Sequence, residues 1–290
     1  MTECNINLFS VYLHGPVNVT VLLPSPDPSD ASPAALYQSG ARYPVLWLLH
    51  AGNGDRNDWA RYTSLYRLMA NRKAIVVMPD GLNSDFYDQP QFGEGYAYGD
   101  FFFKELMPFV QGWLPALDAR EDNCLAGVSM GAMAVWTLAL AQPERFGKIA
   151  PLSALPRNYG YLEQYRAMSG GAFRALAEKD RTAFPAGFGN PRNGIWPKEI
   201  NMICKYPTVG DFLDSQENTG PRFRFRAERK ELPQTIFMLG GEEDAGFADF
   251  LKEAEELHVR VRAQRSPGRG GHGFEYWDGY LPAMLEAFGL

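Results

Sequence analysis

The run Cys124-Leu125-Ala126-Gly127-Val128-Ser129-Met130-Gly131-Ala132-Met133-Ala134 constrains this chain more than any other stretch. Its first half is a short apolar strand, its second half opens an Ala- and Leu-rich helix that must stop at Pro143, and Ser129 stands at the turn between them. The spacing is G-x-S-x-G. A serine on so tight a strand-to-helix turn has an exposed hydroxyl, and the small neighbours Gly127 and Gly131 let the backbone bend that sharply. The helix N-terminus brings N–H groups, beginning with that of Met130, to the place where a carbonyl oxygen would gain negative charge during acyl transfer. Taken alone the pattern is short enough to arise by chance around a helix-capping serine, so its surroundings have to decide.

A strand that feeds a helix needs a sheet, and the flanking sequence supplies one. Val45-Leu46-Trp47-Leu48-Leu49-His50 and Ala74-Ile75-Val76-Val77-Met78 are apolar without alternation, as strands buried on both faces of a parallel sheet are. The first ends in Ala51-Gly52-Asn53-Gly54-Asp55 and the second in Pro79-Asp80-Gly81. Helical patterns run from about Trp59 to Ala70 and from about Asp100 to Trp113, and a further short strand covers Ile149 to Leu152. Such alternation predicts an α/β fold with a mostly parallel central sheet flanked by helices. Ahead of it, Ile6 to Leu13 and Val17 to Leu23 are split by His14-Gly15-Pro16, which predicts an antiparallel N-terminal hairpin. Pro24, Pro26, Pro28 and Pro33 then predict an exposed connection with no regular element.

Between about 156 and 232 the rhythm breaks. Gly and Pro are scattered among Tyr159, Tyr161, Tyr165, Phe173, Phe184, Phe188 and Trp196, which predicts short helices and loops forming a cap insertion. Within it, Arg222-Phe223-Arg224-Phe225-Arg226 alternates at the period of a strand and reads as a solvated edge. The sheet pattern returns at Thr235 to Gly241, followed by a helix from Gly246 to Leu257, a β-like run from Val259 to Ala263 and a closing helix over Phe274 to Phe288. The chain thus reads as a single domain over 1–290 with the cap at about 156–232.

A serine nucleophile needs a base, and the base needs a carboxylate to fix its tautomer and stabilise its charged form. Of the four histidines, His14 lies in the hairpin, His50 ends a strand ahead of the serine, and His258 closes a charged helix. Only His272 stands in a Gly-rich loop between the last strand and the last helix, where the order nucleophile, acid, base requires it. The acid comes from Gly241-Glu242-Glu243-Asp244, with Asp244 first, Glu243 second and Asp80, at another strand end, as a competitor. Those three carboxylates also suit the start of the next helix, where negative charge is favoured. A second oxyanion donor is expected from the loop after the first parallel strand, with Gly52 as the candidate beside the Met130 amide. Tyr87, Tyr96 and Tyr98 are candidates for an apolar or ring-stacking wall, with Tyr96 and Tyr98 taken as substrate-binding.

Charge narrows the remaining classes. A net charge of −6 argues against a nucleic-acid surface, which needs a concentrated basic patch. Cys4, Cys124 and Cys204 are odd in number and far apart, so neither a disulfide framework nor a zinc site is indicated, and no metal is expected. The N-terminus lacks a basic region followed by an apolar stretch, and no run approaches the ~20 apolar residues of a membrane span. A cytoplasmic protein with no membrane partner is therefore expected, and the abundance of Trp and Tyr is compatible with a homo-oligomer surface as well as with a filled cap.

With these pieces placed, the chain resembles the esterase D-like α/β hydrolases, most closely their tributyrin esterase or acetyl esterase branch. The resemblance rests on Leu48-Leu49-His50 with Asp58-Trp59, Val76-Val77-Met78-Pro79, the Tyr/Gly-rich run to Tyr98, Ala126 to Gly131, Gly241 to Asp244, and His272 near Trp277 and Leu281-Pro282. It implies the α/β-hydrolase fold and hydrolysis of short-chain acyl esters without a cofactor, on aryl esters, acetylated sugars, or feruloyl and S-formylglutathione esters. It carries the triad onto Ser129, Asp244 and His272 and the oxyanion donors onto Met130 and Gly52. Two departures stand out: Ala51 where relatives often have Gly after the His, and Ala132 where many have a second Gly. An acyltransferase with the same triad, passing the acyl group to an alcohol, is the nearest rival reading, and a non-catalytic binding protein on the same scaffold the most distant.

Overall fold

The computed structural model describes residues 1–26, 32, 34–81, 86, 88, 95–184, 194–195 and 197–290. Expectations that rest on Pro28, Pro33, Tyr87, Phe188 and Trp196 lie outside the described residues. One sheet holds β1 (Thr2–Ser10), β2 (Gly15–Leu23), β3 (Val45–Leu49), β4 (Ile75–Pro79), β5 (Asn123–Val128), β6 (Lys148–Leu152), β7 (Thr235–Gly241) and β8 (Val261–Ser266), in the order β1-β2-β4-β3-β5-β6-β7-β8. β1 and β2 form the expected antiparallel hairpin, β2 runs antiparallel to β4, and every later pairing is parallel.

Every residue of β3, β4 and β5 is buried, which is why those strands read as unbroken apolar runs. Six helices bear on the site and its support: α1 (Asp58–Tyr62), α2 (Leu65–Met69), α3 (Met130–Ala141), α4 (Thr219–Glu228), α5 (Ala245–Glu256) and α6 (Phe274–Phe288). Successive strand residues face opposite sides. On one side Trp47, Val77 and Leu125 pack with Trp136 of α3, Phe223 of α4 and Phe250 of α5. On the other, Leu48, Val76 and Ala126 pack with Trp59 of α1, Leu65 of α2 and Trp277 of α6.

Four expectations shift. The helix from Trp59 to Ala70 is split into α1 and α2 because Thr63 is extended and turns its hydroxyl back to the Trp59 carbonyl. The N–H and hydroxyl of Ser64 both donate to Asp278 Oδ1 of α6 at 2.7 Å, so a carboxylate from the last helix replaces the hydrogen bonds an unbroken helix would make. A short helix, Ala34–Gln38, stands in the Pro-rich connection. The last strand starts at Val261 because the N–H of Val259 is still engaged with the Ala254 carbonyl at the end of α5.

The fourth shift is a correction: Arg222-Phe223-Arg224-Phe225-Arg226 is part of helix α4, not a strand edge. Phe223 and Ala227, one turn apart, are buried, Phe223 edge-on to Trp136. Arg226 reaches in to the Leu140 carbonyl at 3.1 Å, while Arg224 pairs outward with Glu253 and Arg229 covers the Phe225 ring at 3.6 Å. Burial of one helical face outweighs a two-residue alternation that local sequence alone cannot distinguish from it.

The segment expected to form a cap contains short helices, among them Gly170–Lys179, Pro197–Cys204 and Val209–Leu213. It has a core of its own, with Tyr159, Leu162, Phe173, Ile203 and Phe212. Helix α4, by contrast, packs back on α3 and belongs to the main body.

The glycines flanking Ser129 mark where α3 meets the sheet. A Cβ on Gly131 would stand 2.7 Å from the carbonyl oxygens of both Leu49 and His50, and one on Gly127 would stand 2.6 Å from the Gly131 carbonyl carbon. Gly131→Ala is therefore expected to lower stability by about 2 kcal/mol or more in urea titrations, since backbone must move. Gly171→Ala, in an exposed helix with nothing within 4 Å, is expected to raise it by up to about 1 kcal/mol.

Candidate active site

At the junction of β5 and α3 the chain passes through Ser129 with φ 53° and ψ −111°, a conformation that L-residues adopt only when the surroundings hold them there. The surroundings are specific. The Ser129 N–H donates to Leu152 O of the neighbouring strand at 3.1 Å, the Gly131 N–H donates to His50 O at 3.1 Å, and the Ser129 carbonyl accepts the first helical bond from Met133. The turn expected from G-x-S-x-G is thus present.

Ser129 Oγ lies 2.8 Å from His272 Nε2. The two come together across 143 positions of sequence because β8 and α6 bring the Gly-rich loop to the same end of the sheet as the turn after β5. The imidazole stands edge-on to the indole of Trp277, with ring centroids 5.3 Å apart. Trp277 is in turn fixed by its Nε1–H donating to Ser153 Oγ at 2.9 Å. Loss of water around the ring pushes the His272 pKa below the ordinary histidine value, which favours the neutral form that can accept a proton at Nε2.

His50 plays a different part. It is 2% exposed, its Nδ1 lies 2.7 Å from Ala51 O, and its Nε2 accepts the Gly81 N–H at 2.8 Å. A carbonyl on one side and an N–H on the other assign the proton to Nδ1. The ring thus joins the ends of β3 and β4, fixing the loop that holds Gly52. A Cβ built on Gly52 would lie 3.8 Å from the Met130 Cβ, so the two expected oxyanion donors belong to adjoining backbone. The Gly131 amide is already committed to His50 O, so it is not free to serve as the donor expected at this helix end.

Among the expected acids, position separates the candidates. Asp80 stands beside His50, with Oδ1 3.8 Å from its Nε2. Glu243 is exposed, and its N–H donates to Gly268 O. Asp244 caps α5 by accepting the Phe247 N–H at 3.2 Å, and it lines a cavity of about 810 Å³ together with His272, Gly270 and Gly271. The carboxylate that shares a cavity with His272 is therefore Asp244.

The aromatic expectation needs correction. Tyr98 is fully buried, its hydroxyl donates to Asp80 O at 2.9 Å, and its ring packs against Phe86 and Phe101, so it is core and not a wall open to a ligand. Tyr96 is partly buried against the same core cluster. Sequence reasoning missed Ser153 and the anchoring role of His50, though each ends a parallel strand on the side where ligands bind in open α/β sheets. Among the described residues no group of three or more His, Cys, Asp or Glu is placed to hold a metal ion, and no helix is long and apolar enough to cross a membrane.

Comparison with known proteins gives these contacts a context. Residues 10–288 match the Esterase family, described as "Putative esterase". The acetyl esterase of Caldicellulosiruptor saccharolyticus is 27% identical over 296 residues, covering 99% of this chain and 97% of that protein. The diacylglycerol acyltransferase/mycolyltransferase Ag85A of Mycobacterium tuberculosis is 29% identical over 194 residues, covering 62% of this chain and 54% of that one. Among solved structures, the fluorophosphonate-binding serine hydrolase FphF of Staphylococcus aureus superposes with a TM-score of 0.69 at 22% identity, over 99% of this chain and 98% of that one.

The environment of His272 has a measurable sign. Its imidazole is expected to titrate below about 6.5 in an NMR pH series, because burial disfavours the charged form. Activity that depends on neutral His272 should accordingly be lost as pH drops through that lowered pKa. An acid limb above about 6.5 would contradict this.

Proposed function

From the premise that this chain belongs to the Esterase family, has the α/β-hydrolase fold and is a serine carboxylesterase, we propose that it cleaves short-chain acyl esters, acetyl and butyryl esters of phenols or sugars, through an acyl-enzyme. One observation carries the mechanism: the 2.8 Å contact between Ser129 Oγ and His272 Nε2 on a strained strand-to-helix turn. Neutral His272 takes the Ser129 proton as Oγ bonds to the ester carbonyl carbon, and the carbonyl oxygen becomes an oxyanion. The amides of Met130 and Gly52 receive that oxyanion. When the carbon–oxygen bond to the alcohol breaks, the proton on Nε2 passes to the departing alcohol. Water then attacks the acyl-enzyme, His272 takes its proton, and the same sequence reversed releases the acid and restores Ser129.

Asp244 is the acid in this reading, supported by its place in the cavity beside His272. The preference for short acyl groups is supported by the acetyl esterase relative, which matches almost end to end. A second reading, transfer of the acyl group to an alcohol by the same residues, is supported by the acyltransferase relative. No cofactor enters either scheme. Cys4, Cys124 and Cys204 form no disulfide, which fits a reducing, cytoplasmic location.

Hydrolysis of p-nitrophenyl acetate, butyrate and octanoate tests the whole scheme. Acetate and butyrate should turn over with a burst of p-nitrophenol and octanoate poorly, while Ser129→Ala should lose about 10⁴-fold or more in kcat. Normal turnover by that variant would remove the assignment. Asp244→Asn should cost about 10⁴-fold in kcat, with Glu243→Gln and Asp80→Asn much milder, and the reverse ranking would move the acid elsewhere. An added acceptor alcohol separates the two readings, since only a transferase yields the new ester as its main product.

A further inference from the structure

The cavity beside His272 lies where one end of an ester, its alcohol, would be placed. Proton return from His272 Nε2 places the departing alcohol on the histidine's side of Ser129, and the oxyanion donors fix the opposite side. In the sheet, β3 with its Gly52 loop flanks β5 on one edge, and β6 and β7 lie on the other. The cavity belongs to this second side, lined by residues that follow β6, by Asp244 after β7 and by the loop that carries His272. Its volume of about 810 Å³ admits a ring-sized group with substituents.

Its lining mixes apolar groups such as Leu155, Leu239 and Phe247 with a few polar ones. Arg269, exposed and in the same loop as His272, takes part in none of the ion pairs among the described residues. The other lining guanidinium, Arg157, is already engaged with Glu199 Oε1 at 2.8 Å and the Tyr159 hydroxyl at 2.6 Å. Asp244 is the one lining carboxylate among the described residues, and it is turned to the first turn of α5.

We propose that this cavity is the leaving-group subsite and that it selects an alcohol or phenol bearing a carboxylate, with Arg269 as the cationic contact. A planar carboxylate matches the guanidinium fork, and the apolar part of the wall suits the ring that carries it. The proposal rests on the ester-hydrolase reading above, whose failure has to show separately.

Two acetyl esters make that separation: 4-acetoxybenzoate, whose leaving group is anionic, and its methyl ester, whose leaving group is not. The ratio of their kcat/KM values divides out leaving-group reactivity and any general loss of activity when variants are compared. Arg269→Gln should lower the anionic-to-neutral ratio roughly fivefold through KM, as loss of an exposed ion pair does, and Arg269→Lys should recover part of it. Added salt should also lower the ratio in the wild type. Arg262→Gln, an exposed arginine on β8, should not. An unchanged ratio in Arg269→Gln, or an equal fall in Arg262→Gln, would overturn the subsite while leaving the hydrolase intact. No hydrolysis of either ester by the wild type would overturn both.

Discussion

Everything at this site depends on how closely α3 approaches the ends of β3 and β5. Two glycines make the approach sterically possible, because side chains at 127 and 131 would run into backbone that cannot retreat without opening the sheet. Their consequence is the backbone of Ser129, whose positive φ costs of order 1–3 kcal/mol and persists because bonds to Leu152 and His50 hold both flanks. The spacing G-x-S-x-G is thus a steric requirement first. Its chemistry follows from where the turn leaves the hydroxyl.

The two histidines near the serine show how one residue type serves opposite ends. His50 is sealed in, with both ring nitrogens occupied by backbone, and it fixes the relation between two strand ends. His272 keeps one nitrogen toward a hydroxyl, and its ring is steadied from the side by an indole that Ser153 holds in place. Partial removal of water, without full enclosure, is what favours the neutral form of the second. In the proposed scheme that same imidazole divides the site into an oxyanion side and an alcohol side.

Local sequence carried the strands and the nucleophile turn because both depend on short-range features: unbroken apolar runs, small residues at fixed offsets, Pro143 as a stop. The hairpin, the parallel sheet and helix Phe274–Phe288 were legible for that reason. What failed were features decided at a distance. The break at Thr63 depends on Asp278, more than two hundred positions away, and α4 is a helix because Trp136 and Leu140 receive one of its faces. Tyr98 looked available in a loop rich in Tyr and Gly, yet the Asp80 carbonyl and two Phe rings enclose it. Three adjacent carboxylates could not be ranked by spacing, whereas cavity position separates Asp244 from Glu243.

The serine and the imidazole lie 143 positions apart, with the second in the loop that enters the final helix. On a ribosome, then, the strands around Ser129 emerge long before the residues that activate it. Until β8 and the loop after it have been added, the serine lacks the imidazole that the proposed scheme gives it as a base. Docking of the last helix, with Trp277 entering the core and Asp278 clamping Ser64, is the event that completes the site. In the proposed scheme the serine therefore stays inert toward esters until that helix has docked.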